Sequence, residues 1–394
     1  MDPISKGSTS RAGYFRRHPN GYRAFYPAVL PPAPPIHLDG DLRVILSQAD
    51  RALGRLDGSV QTLPNPDLFV FMYVRKEAVL SSQIEGTQSS LHDLLAAEAD
   101  LLGGEGRPRD VDEVVNYVGA MNYGLERLTS LPVSVRLIRE IHERLLKGAR
   151  GGGLTPGELR RSQNWIGPAG STLAEASFIP PPPEIVPEAM GELERFLHGE
   201  DDLPILAKIG LAHAQFETIH PFLDGNGRVG RLLITFLLTE RGVLHKPVLY
   251  LSHYFKRHRQ VYYELLQKIR EHGDWEGWLA FFLRGVAEVS SEASETARRI
   301  LVLREKHRAT ITERLGRAAG NGHRVLEALY NRPIVSVKDV RELCGTTFAA
   351  ANTLVARLAE EGVLNEITGY TRNRRFRYDS YVRLFTDEPP EGDG

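Results

Sequence analysis

Residues 220–231 have the sequence His-Pro-Phe-Leu-Asp-Gly-Asn-Gly-Arg-Val-Gly-Arg, and this stretch separates two segments with helical periodicity. Before it, apolar residues recur at helical spacing from Ile205 to Ile219. After it, the pattern predicts a second helix from Arg228 to about Arg241. The sequence therefore predicts two helices joined by a turn that contains glycine.

The turn has the residue types of an anion-binding site. Gly225 and Gly227 permit positive φ and carry no Cβ, so the amides on either side of Asn226 can point at one anion. At the beginning of a helix, unpaired N–H groups and the helix dipole both favour negative charge. Arg228 and Arg231 follow on the second helix, on neighbouring faces that can both contact a polyphosphate.

Two more residues of this stretch add chemistry. Asp224 can hold Mg²⁺ together with phosphate oxygens, because this hard cation prefers oxygen ligands. His220 can accept a proton near neutral pH. For each residue alone a structural role is the alternative, but their concentration within residues 220–231 favours a nucleotide site. The turn is neither a P-loop nor a nicotinamide fingerprint, because it lacks the lysine motif and helices flank it.

The composition excludes several classes of protein. The hydrophobic share of 42% and the charged share of 25% are ordinary for a globular protein of 394 residues. The net charge of −1 excludes a globally basic nucleic-acid coat but leaves room for one basic face. The single cysteine, Cys344, excludes an intrachain disulfide and multi-cysteine metal sites. Because no apolar run approaches the ~20 residues of a spanning helix, we expect a cytoplasmic protein without a membrane partner.

The chain is predicted to be mainly α-helical. Its successive parts are an N-terminal extension with a helical region (1–110), a helical core (111–290), a helical linker (291–319), a second domain (320–386) and a disordered tail (387–394). Within them we expect an extended, proline-containing segment over residues 1–36, helices from about 42, from Asn65-Pro66 to about Ile84, over 111–129 and 133–147, a glycine-rich break at 103–106, a loop-hairpin over 151–183, and helices over 257–271 and 275 to about 312.

Residues 320–386 have a pattern of their own. Helical segments at 323–330, 337–343 and 348–361 precede a β-hairpin, which predicts a winged helix-turn-helix module. Its third helix carries Arg357, Asn352 and Thr353. Its hairpin carries a cluster of arginines, namely Arg372, Arg374, Arg375 and Arg377. Two alternatives stay open: a DNA-binding face whose binding depends on salt, or a protein-docking or dimer surface with solvated arginines.

Residues 220–231 resemble the Fic family signature, His-x-Phe-x-Asp/Glu-Gly-Asn-Gly-Arg-x-x-Arg, at every fixed position. The resemblance extends to residues 157–160 and 163–167 and covers roughly 25–283. It implies a Fic-fold helical core with a β-hairpin flap. It also implies the activity of the family, in which AMP passes from ATP to a Ser, Thr or Tyr hydroxyl of a target protein or of the enzyme itself.

The resemblance implies a role for each residue of the site. His220 would act as the general base, and Asp224 would hold Mg²⁺. The implied ATP-binding set is Asp224, Gly225, Asn226, Gly227, Arg228, Val229, Gly230, Arg231 and Tyr262. For Tyr262 and its neighbour Tyr263, simple helix packing is an equal alternative to a place near the adenine. The flap residues Trp165, Ile166 and Gly167 are expected to bind the target segment by strand addition.

Two further features of the resemblance concern specificity and control. The phosphorylating Doc relatives have lysine and asparagine in place of Gly227 and Asp224, and this chain has neither change, which favours adenylylation. Residues 81–86, Ser-Ser-Gln-Ile-Glu-Gly, resemble the inhibitory pattern of the family. Ser81 and Glu85 would lie on one side of a helix that Gly86 ends, so that Glu85 can pair with Arg231 in the place of the ATP γ-phosphate.

Several alternatives stay open at this stage. The second class of function is a DNA-binding regulator whose Fic core senses nucleotide or modifies itself. A third, an inactive nucleotide-binding scaffold, is disfavoured because His220 and both arginines are present. Removal of AMP from a modified target, with Glu85 positioning a water, is a related hypothesis. The target, the action of the inhibitory residues within one chain or across a homodimer, and the oligomeric state stay open as well.

Overall fold

A computed structural model describes residues 9–63, 66–99, 101, 108, 110–148, 155–168 and 170–386. The helices before the 220–231 motif are α1 (Gly40–Gln61), α2 (Pro66–Ile84), α3 (Leu91–Glu98), α4 (Val111–Arg127), α5 (Val135–Leu145), α6 (Val186–His198) and α7 (Ile205–Ile219). Those after it are α8 (Asn226–Glu240), α9 (Ser252–Arg257), α10 (Arg259–His272), α11 (Trp275–Leu315), α12 (Ala319–Leu329), α13 (Val337–Cys344), α14 (Phe348–Glu360) and α15 (Asp379–Val382). The prediction of a mainly helical protein is confirmed.

Helix α7 lies at the centre of the core. Every residue from Leu206 to Ile219 is buried, including the polar ones, because α6, α8, α10 and α11 pack around it. A helix that is covered on all sides belongs to the interior of a protein. The end of α7 therefore presents His220 from a rigid support.

The N-terminal segment forms a small antiparallel sheet of β1 (Thr9–Ser10), β2 (Gly13–Arg17) and β3 (Arg23–Pro27), in the order β1-β2-β3. Tyr14 pairs with Tyr26 in this sheet, and Phe15 with Phe25. The extended conformation that we predicted is present. The strands pair with one another and also contact the core. The Phe25 amide then donates to the carbonyl of Ile179, 3.0 Å away, so that the sheet adjoins the loop-hairpin.

Some helix boundaries differ from those predicted. Helix α6 was not predicted. Prolines lie shortly before it and in its first turn, and together they obscure the start of its helical pattern. The helix predicted from Arg257 is two helices, separated at His258, whose φ of −111° and ψ of 35° are not helical. Helix α5 begins after Ser134, whose hydroxyl accepts from the Leu137 amide at 3.3 Å and caps the helix.

The boundary between core and linker that we predicted at residue 290 lies inside a helix. Helix α11 is continuous from Trp275 to Leu315 and packs along α1. The segment 291–319 is therefore largely the second half of a core helix that continues toward the C-terminal part. The predicted cap Asn65, the break at 103–106 and the tail 387–394 lie outside the described residues.

The C-terminal part contains one strand more than predicted. Strand β4 (Ile334–Ser336) lies between α12 and α13, and with β5 (Asn365–Glu366) and β6 (Arg375–Arg377) it forms a sheet of order β4-β6-β5. A three-residue strand has too short a pattern to be recognised in sequence. The three helices and the hairpin are present, while the assignment to the winged helix-turn-helix class stays a prediction.

The C-terminal part packs against the N-terminal helices. The ring of Phe385 contacts Tyr73 of α2, with centroids 5.4 Å apart, and Arg377 lies 2.8 Å from the Nδ1 of His92 on α3. Within the described ranges, no helix combines the length and the apolar character that crossing a membrane requires.

Candidate active site

His220 is held in an uncommon backbone conformation at the end of α7. Its φ of 50° and ψ of 61° lie in the left-handed region, which is sparsely populated by residues other than glycine and is often found at functional sites. The guanidinium of Arg160 fixes this conformation, since its Nε donates to the His220 carbonyl at 2.9 Å and its Nη2 to the Pro181 carbonyl at 2.5 Å. Sequence reasoning placed Arg160 within the family resemblance but assigned it no role.

The imidazole of His220 is neutral. Burial is the largest cause that lowers its pKa to about 3, and the positive charges of Arg160 and Arg270 lower it further. Among the residues that the structure describes, none makes a hydrogen bond to its buried Nδ1. A neutral ring with an unused nitrogen can accept a proton from a bound molecule.

The turn after His220 is built around Asn226. Its side-chain oxygen accepts from the Phe222 amide at 2.8 Å, and its Nδ2 donates to the Phe222 carbonyl at 2.9 Å. Gly225 has φ of 75°, and the first intrahelical bond of α8 runs from the Val229 amide to the Gly225 carbonyl. The amides of residues 226–228 therefore precede the helical hydrogen bonds, as expected for an anion site.

His142, which the sequence did not single out, packs against the turn. Its ring stacks on Phe222 with centroids 3.7 Å apart, and its Nε2 lies 3.0 Å from the Asp224 carbonyl. The Gly157 amide donates to Nδ1 at 2.8 Å, so Nε2 carries the proton and donates to Asp224. Burial lowers the pKa of His142 to about 4, which keeps this arrangement at neutral pH.

Arg231 makes three hydrogen bonds to the end of α2 and the residue that follows it. Its Nε donates to the Ser81 hydroxyl at 2.8 Å, and its Nη2 donates to the Ser81 carbonyl at 3.0 Å and to Glu85 Oε1 at 2.7 Å. Burial would raise the pKa of Glu85, but the charge and hydrogen bond of Arg231 outweigh it and hold this pKa below its usual value. Ser81 and Glu85, the residues of the resembled inhibitory pattern, thus both bind Arg231.

Gly227 and Gly86 make this contact sterically feasible. A Cβ at residue 227 would lie 2.2 Å from Glu85 Oε1 and 2.9 Å from Arg231 Nη1, so a side chain there would displace the carboxylate. Gly86 has φ of 102°, in the region that favours glycine, and with Glu85 it forms the turn that follows α2.

Arg228 is the other buried arginine of the motif, with a side chain only 3% exposed. Its Nη1 lies 3.0 Å from Glu113 Oε2, and its Nη2 lies 3.7 Å from Asp224 Oδ1. Glu113 comes from the first turn of α4 and was not predicted, because an isolated glutamate has no local signature.

Three further residues of the predicted ATP-binding set are buried, as Asn226 and the two arginines are. Val229 is 1% exposed. A Cβ at Gly230 would lie 2.3 Å from Glu217 Oε1, so this glycine permits close packing of α7 and α8. Tyr262 is also 1% exposed and its hydroxyl lies 3.0 Å from His213 Nε2, which matches the packing alternative. The neighbouring ring of Tyr263 is 40% exposed.

The loop-hairpin has the form of a flap next to the motif. Ile166 and Phe178 exchange both backbone hydrogen bonds, at 2.8 and 3.1 Å, and form one antiparallel bridge. Asn164 donates to the Phe222 carbonyl at 2.8 Å and anchors the flap to the motif turn. Trp165 is 41% exposed, and a Cβ at Gly167 would lie 2.5 Å from the Ser171 hydroxyl. The described residues of the flap therefore include an exposed aromatic ring.

The basic cluster of the C-terminal part is largely engaged within the protein. Arg374 donates to Asn352 at 2.8 Å, and Arg357 donates to the Leu315 carbonyl at 3.0 Å. Arg375 lies 3.6 Å from Asp339 and Arg377 pairs with Asp379, whereas Arg372 is exposed. Thr353 is exposed on the third helix. Most of the residues proposed for DNA contact thus already have partners within the protein, and the choice between DNA binding and protein docking stays a prediction.

The comparisons with known proteins agree with this geometry. A model described as the Fic/DOC family N-terminal matches residues 45–126, and the Fic/DOC family model matches residues 132–238. A probable protein adenylyltransferase of Aquifex aeolicus is 32% identical over 209 residues, which are 52% of this chain and 57% of that protein. The protein adenylyltransferase Fic of Drosophila melanogaster is 29% identical over 200 residues, 50% of this chain and 35% of the relative.

A solved structure supports the fold over a longer range. A Fic family protein from Desulfovibrio desulfuricans superimposes with a TM-score of 0.58 at 19% identity, covering 90% of this chain and 98% of that one. The N-terminal family model covers α2 and Glu85, and the second family model covers the motif with His220. The aligned parts span about half of the Aquifex protein and about a third of the fly protein. In sequential order around the assembled site, the chain thus contains a Fic/DOC N-terminal domain over residues 45–126 and a Fic/DOC domain over residues 132–238.

Proposed function

We propose that this protein is an adenylyltransferase that moves AMP from ATP to a Ser, Thr or Tyr hydroxyl of a target protein, or of itself. The observation that carries the proposal is the position of His220, a neutral base with an unused Nδ1, beside the anion-binding start of α8. The names of the curated relatives, which are protein adenylyltransferases, support the same reaction.

The reaction needs one proton acceptor and one anion-binding surface. The target hydroxyl loses its proton to the imidazole of His220 while its oxygen forms a bond to the α-phosphorus of ATP. The bond between the α-phosphorus and the bridging oxygen breaks, and pyrophosphate leaves with the electron pair. The first amides of α8 and the guanidinium groups of Arg228 and Arg231 would stabilise the negative charge, which is the main requirement of such transfers.

Mg²⁺ fits the residues that are present. The Asp224 side chain is 41% exposed at the beginning of the anion-binding turn, so its carboxylate is accessible to a cation. Within the described residues no cluster of three metal-binding side chains occurs. One carboxylate suits Mg²⁺, which usually keeps waters and takes its remaining ligands from substrate phosphates. Asp224 would hold the ion, which would neutralise phosphate charge when bound.

Target binding is assigned to the flap. The Ile166–Phe178 bridge lies on a segment that Asn164 ties to the motif turn. An extended target segment that pairs with this flap would use main-chain hydrogen bonds, which depend little on sequence. The hydroxyl would then be placed near His220, and the flap would not by itself identify the target protein.

The enzyme is proposed to be autoinhibited in the conformation described. Arg231 uses its Nε and Nη2 groups on Ser81 and Glu85, so it cannot offer them to the outer phosphate of ATP. Glu85 is 35% exposed and lies at the end of α2, where a small displacement of the helix end would release it. Removal of AMP from a modified target by a water that Glu85 positions is a further proposal for the same carboxylate.

Mass spectrometry tests the proposed function. Purified Glu85→Gly protein is incubated with ATP, Mg²⁺ and cell lysate, and modified peptides are identified by their mass. The addition of AMP is the expected result. The addition of phosphate alone, or no nucleotide-dependent modification of any protein, would contradict an adenylyltransferase.

A further inference from the structure

The two buried arginines of the motif are each paired with a glutamate from the N-terminal helices. Arg231 pairs with Glu85, directly after α2, and Arg228 pairs with Glu113 of α4. The two pairs look alike in distance, 2.7 and 3.0 Å, but they differ in which donors of the arginine they occupy.

Glu113 occupies only one end of the Arg228 guanidinium. The contact is made by Nη1, while Nη2 points toward Asp224, 3.7 Å from its Oδ1. The buried Nε of Arg228 has no hydrogen-bond partner among the described residues. An arginine has five N–H donors, so Arg228 keeps donors for an anion while Glu113 holds it. By contrast, Ser81 and Glu85 use both Nε and Nη2 of Arg231.

Glu113 is also more firmly held than Glu85. Its side chain is 12% exposed, against 35% for Glu85. It lies in the first turn of α4, where the helix dipole favours a negative charge. The residue before this helix, Asp110, accepts from the Ser89 hydroxyl at 2.5 Å and from the Ser89 amide at 3.3 Å, which anchors the start of α4.

We propose that Glu113 is a positioning residue that holds the Arg228 guanidinium beside Asp224, ready to contact the phosphates of ATP. This inference rests on the proposed function, because it concerns the same nucleotide site. Without Glu113, the buried Arg228 side chain would lack its closest counter-charge, and its guanidinium would no longer be held in this orientation. The phosphates would then meet an arginine that must first be reoriented.

Calorimetric titration with ATP and Mg²⁺ tests this role, in the Glu85→Gly background so that Arg231 is free. For Glu113→Ala we expect about tenfold weaker ATP binding, the size of a lost hydrogen bond to a charged group. Glu113→Gln keeps an acceptor without the charge, and we expect a smaller loss of roughly fourfold. Glu126→Ala, an exposed glutamate on the same helix, is the matched control and should change nothing.

The decisive comparison is a double-mutant cycle with Arg228→Ala. If Glu113 acts through Arg228, then Glu113→Ala has no further effect on ATP affinity once Arg228 is alanine. Affinity that stays within about twofold in Glu113→Ala, that increases, or that falls equally in both backgrounds overturns the proposal. Should circular dichroism show that Glu113→Ala is unfolded, Glu113→Gln decides by the same criteria.

The binding cycle separates this inference from the proposed function. A Glu85→Gly protein that binds ATP but forms no AMP-modified product contradicts the proposed function, while the cycle still measures the coupling between Glu113 and Arg228. Normal transfer without such coupling contradicts the role of Glu113 alone.

Discussion

Glu85 and Arg231 are 146 positions apart in the chain, yet Oε1 of the first lies 2.7 Å from Nη2 of the second. The contact depends on Gly227, because any side chain at that position would collide with the carboxylate. The start of α8 and the Glu85 carboxylate therefore approach each other this closely because residue 227 has no side chain. Replacing Glu85 should open the site without rebuilding it.

Glu85→Gly should increase incorporation of radiolabelled AMP by roughly tenfold or more, within the usual range of regulatory coupling. The physical reason is that Arg231 regains the donors that Glu85 now occupies. Glu85→Gln should give a smaller increase, because it keeps the size of the side chain but removes its charge. Glu126→Gln on α4 is the control. Unchanged incorporation in both Glu85 variants would contradict autoinhibition by this residue.

His220→Ala, in the Glu85→Gly background, should lower the transfer rate by about 10²- to 10⁴-fold, the range that a general base contributes. ATP affinity measured by calorimetry should change little, because the phosphates are expected to contact α8 and the arginines. Loss of ATP binding together with transfer would indicate that His220 holds the nucleotide rather than accepting the proton.

The pH dependence of the reaction should lack an inflection near the ordinary pKa of histidine. Since burial and neighbouring arginines lower the pKa of His220 to about 3, the imidazole is already neutral at pH 5. The pH profile of kcat/KM reports the pKa values of essential groups in the free enzyme, and each group titrates over about one pH unit on either side of its pKa. In Glu85→Gly, kcat/KM should therefore not rise between pH 5.5 and 8 because of His220. A profile that rises with a midpoint near the ordinary value would show a protonated His220 in the free enzyme.

Arg160→Lys should reduce the transfer rate by roughly tenfold or more, because one ammonium group cannot bind several carbonyls in the way the guanidinium does. The change should affect kcat rather than ATP affinity, since Arg160 holds the His220 backbone at 2.9 Å. Arg161→Lys is a matched control, as that side chain is 89% exposed. Equal effects of the two substitutions would exclude the positioning role of Arg160.

Glu77→Gln should change how stability depends on pH. Burial raises the pKa of Glu77 to about 7, so the folded state binds a proton that the unfolded state has lost above the ordinary value of 4.5. Glu77 should thus contribute up to about 3 kcal/mol of stability that is lost as pH rises from 4.5 through 7, while buried histidines with lowered pKa values, such as His142 and His213, contribute in the opposite direction. Urea unfolding at pH 5 and pH 8 measures this difference. In Glu77→Gln this contribution should vanish, and an unchanged difference would show that Glu77 does not titrate in this range.

Much of the site was predictable from local sequence. His220, Asp224 and the two glycines of the turn lie within one short stretch between two periodic segments, so their proximity is set by the chain itself. Ser81, in the last turn of α2, and Glu85, directly after it, lie close together for the same reason, since they are four positions apart. The backbone of a turn and the face of a helix are local properties.

The partners of these residues were not predictable in this way. Arg160 is 60 positions from His220, His142 is 82 positions from Asp224, and Glu113 is 115 positions from Arg228. Which buried charge meets which depends on the packing of α4, α5 and α7 around the motif, and a lone Arg, His or Glu has no local signature of it. The interior positions of Val229 and Tyr262 are decided by the same packing.

The sequence alone thus determined the helical class, the motif at 220–231 and the residues that can carry nucleotide chemistry, because these follow from short-range pattern and residue type. Only the tertiary structure decided the left-handed conformation of His220, the neutral state of its ring and the pairing of Arg231 with Glu85. These depend on desolvation and on distances across the fold, and both arise only when segments far apart in the chain are packed together.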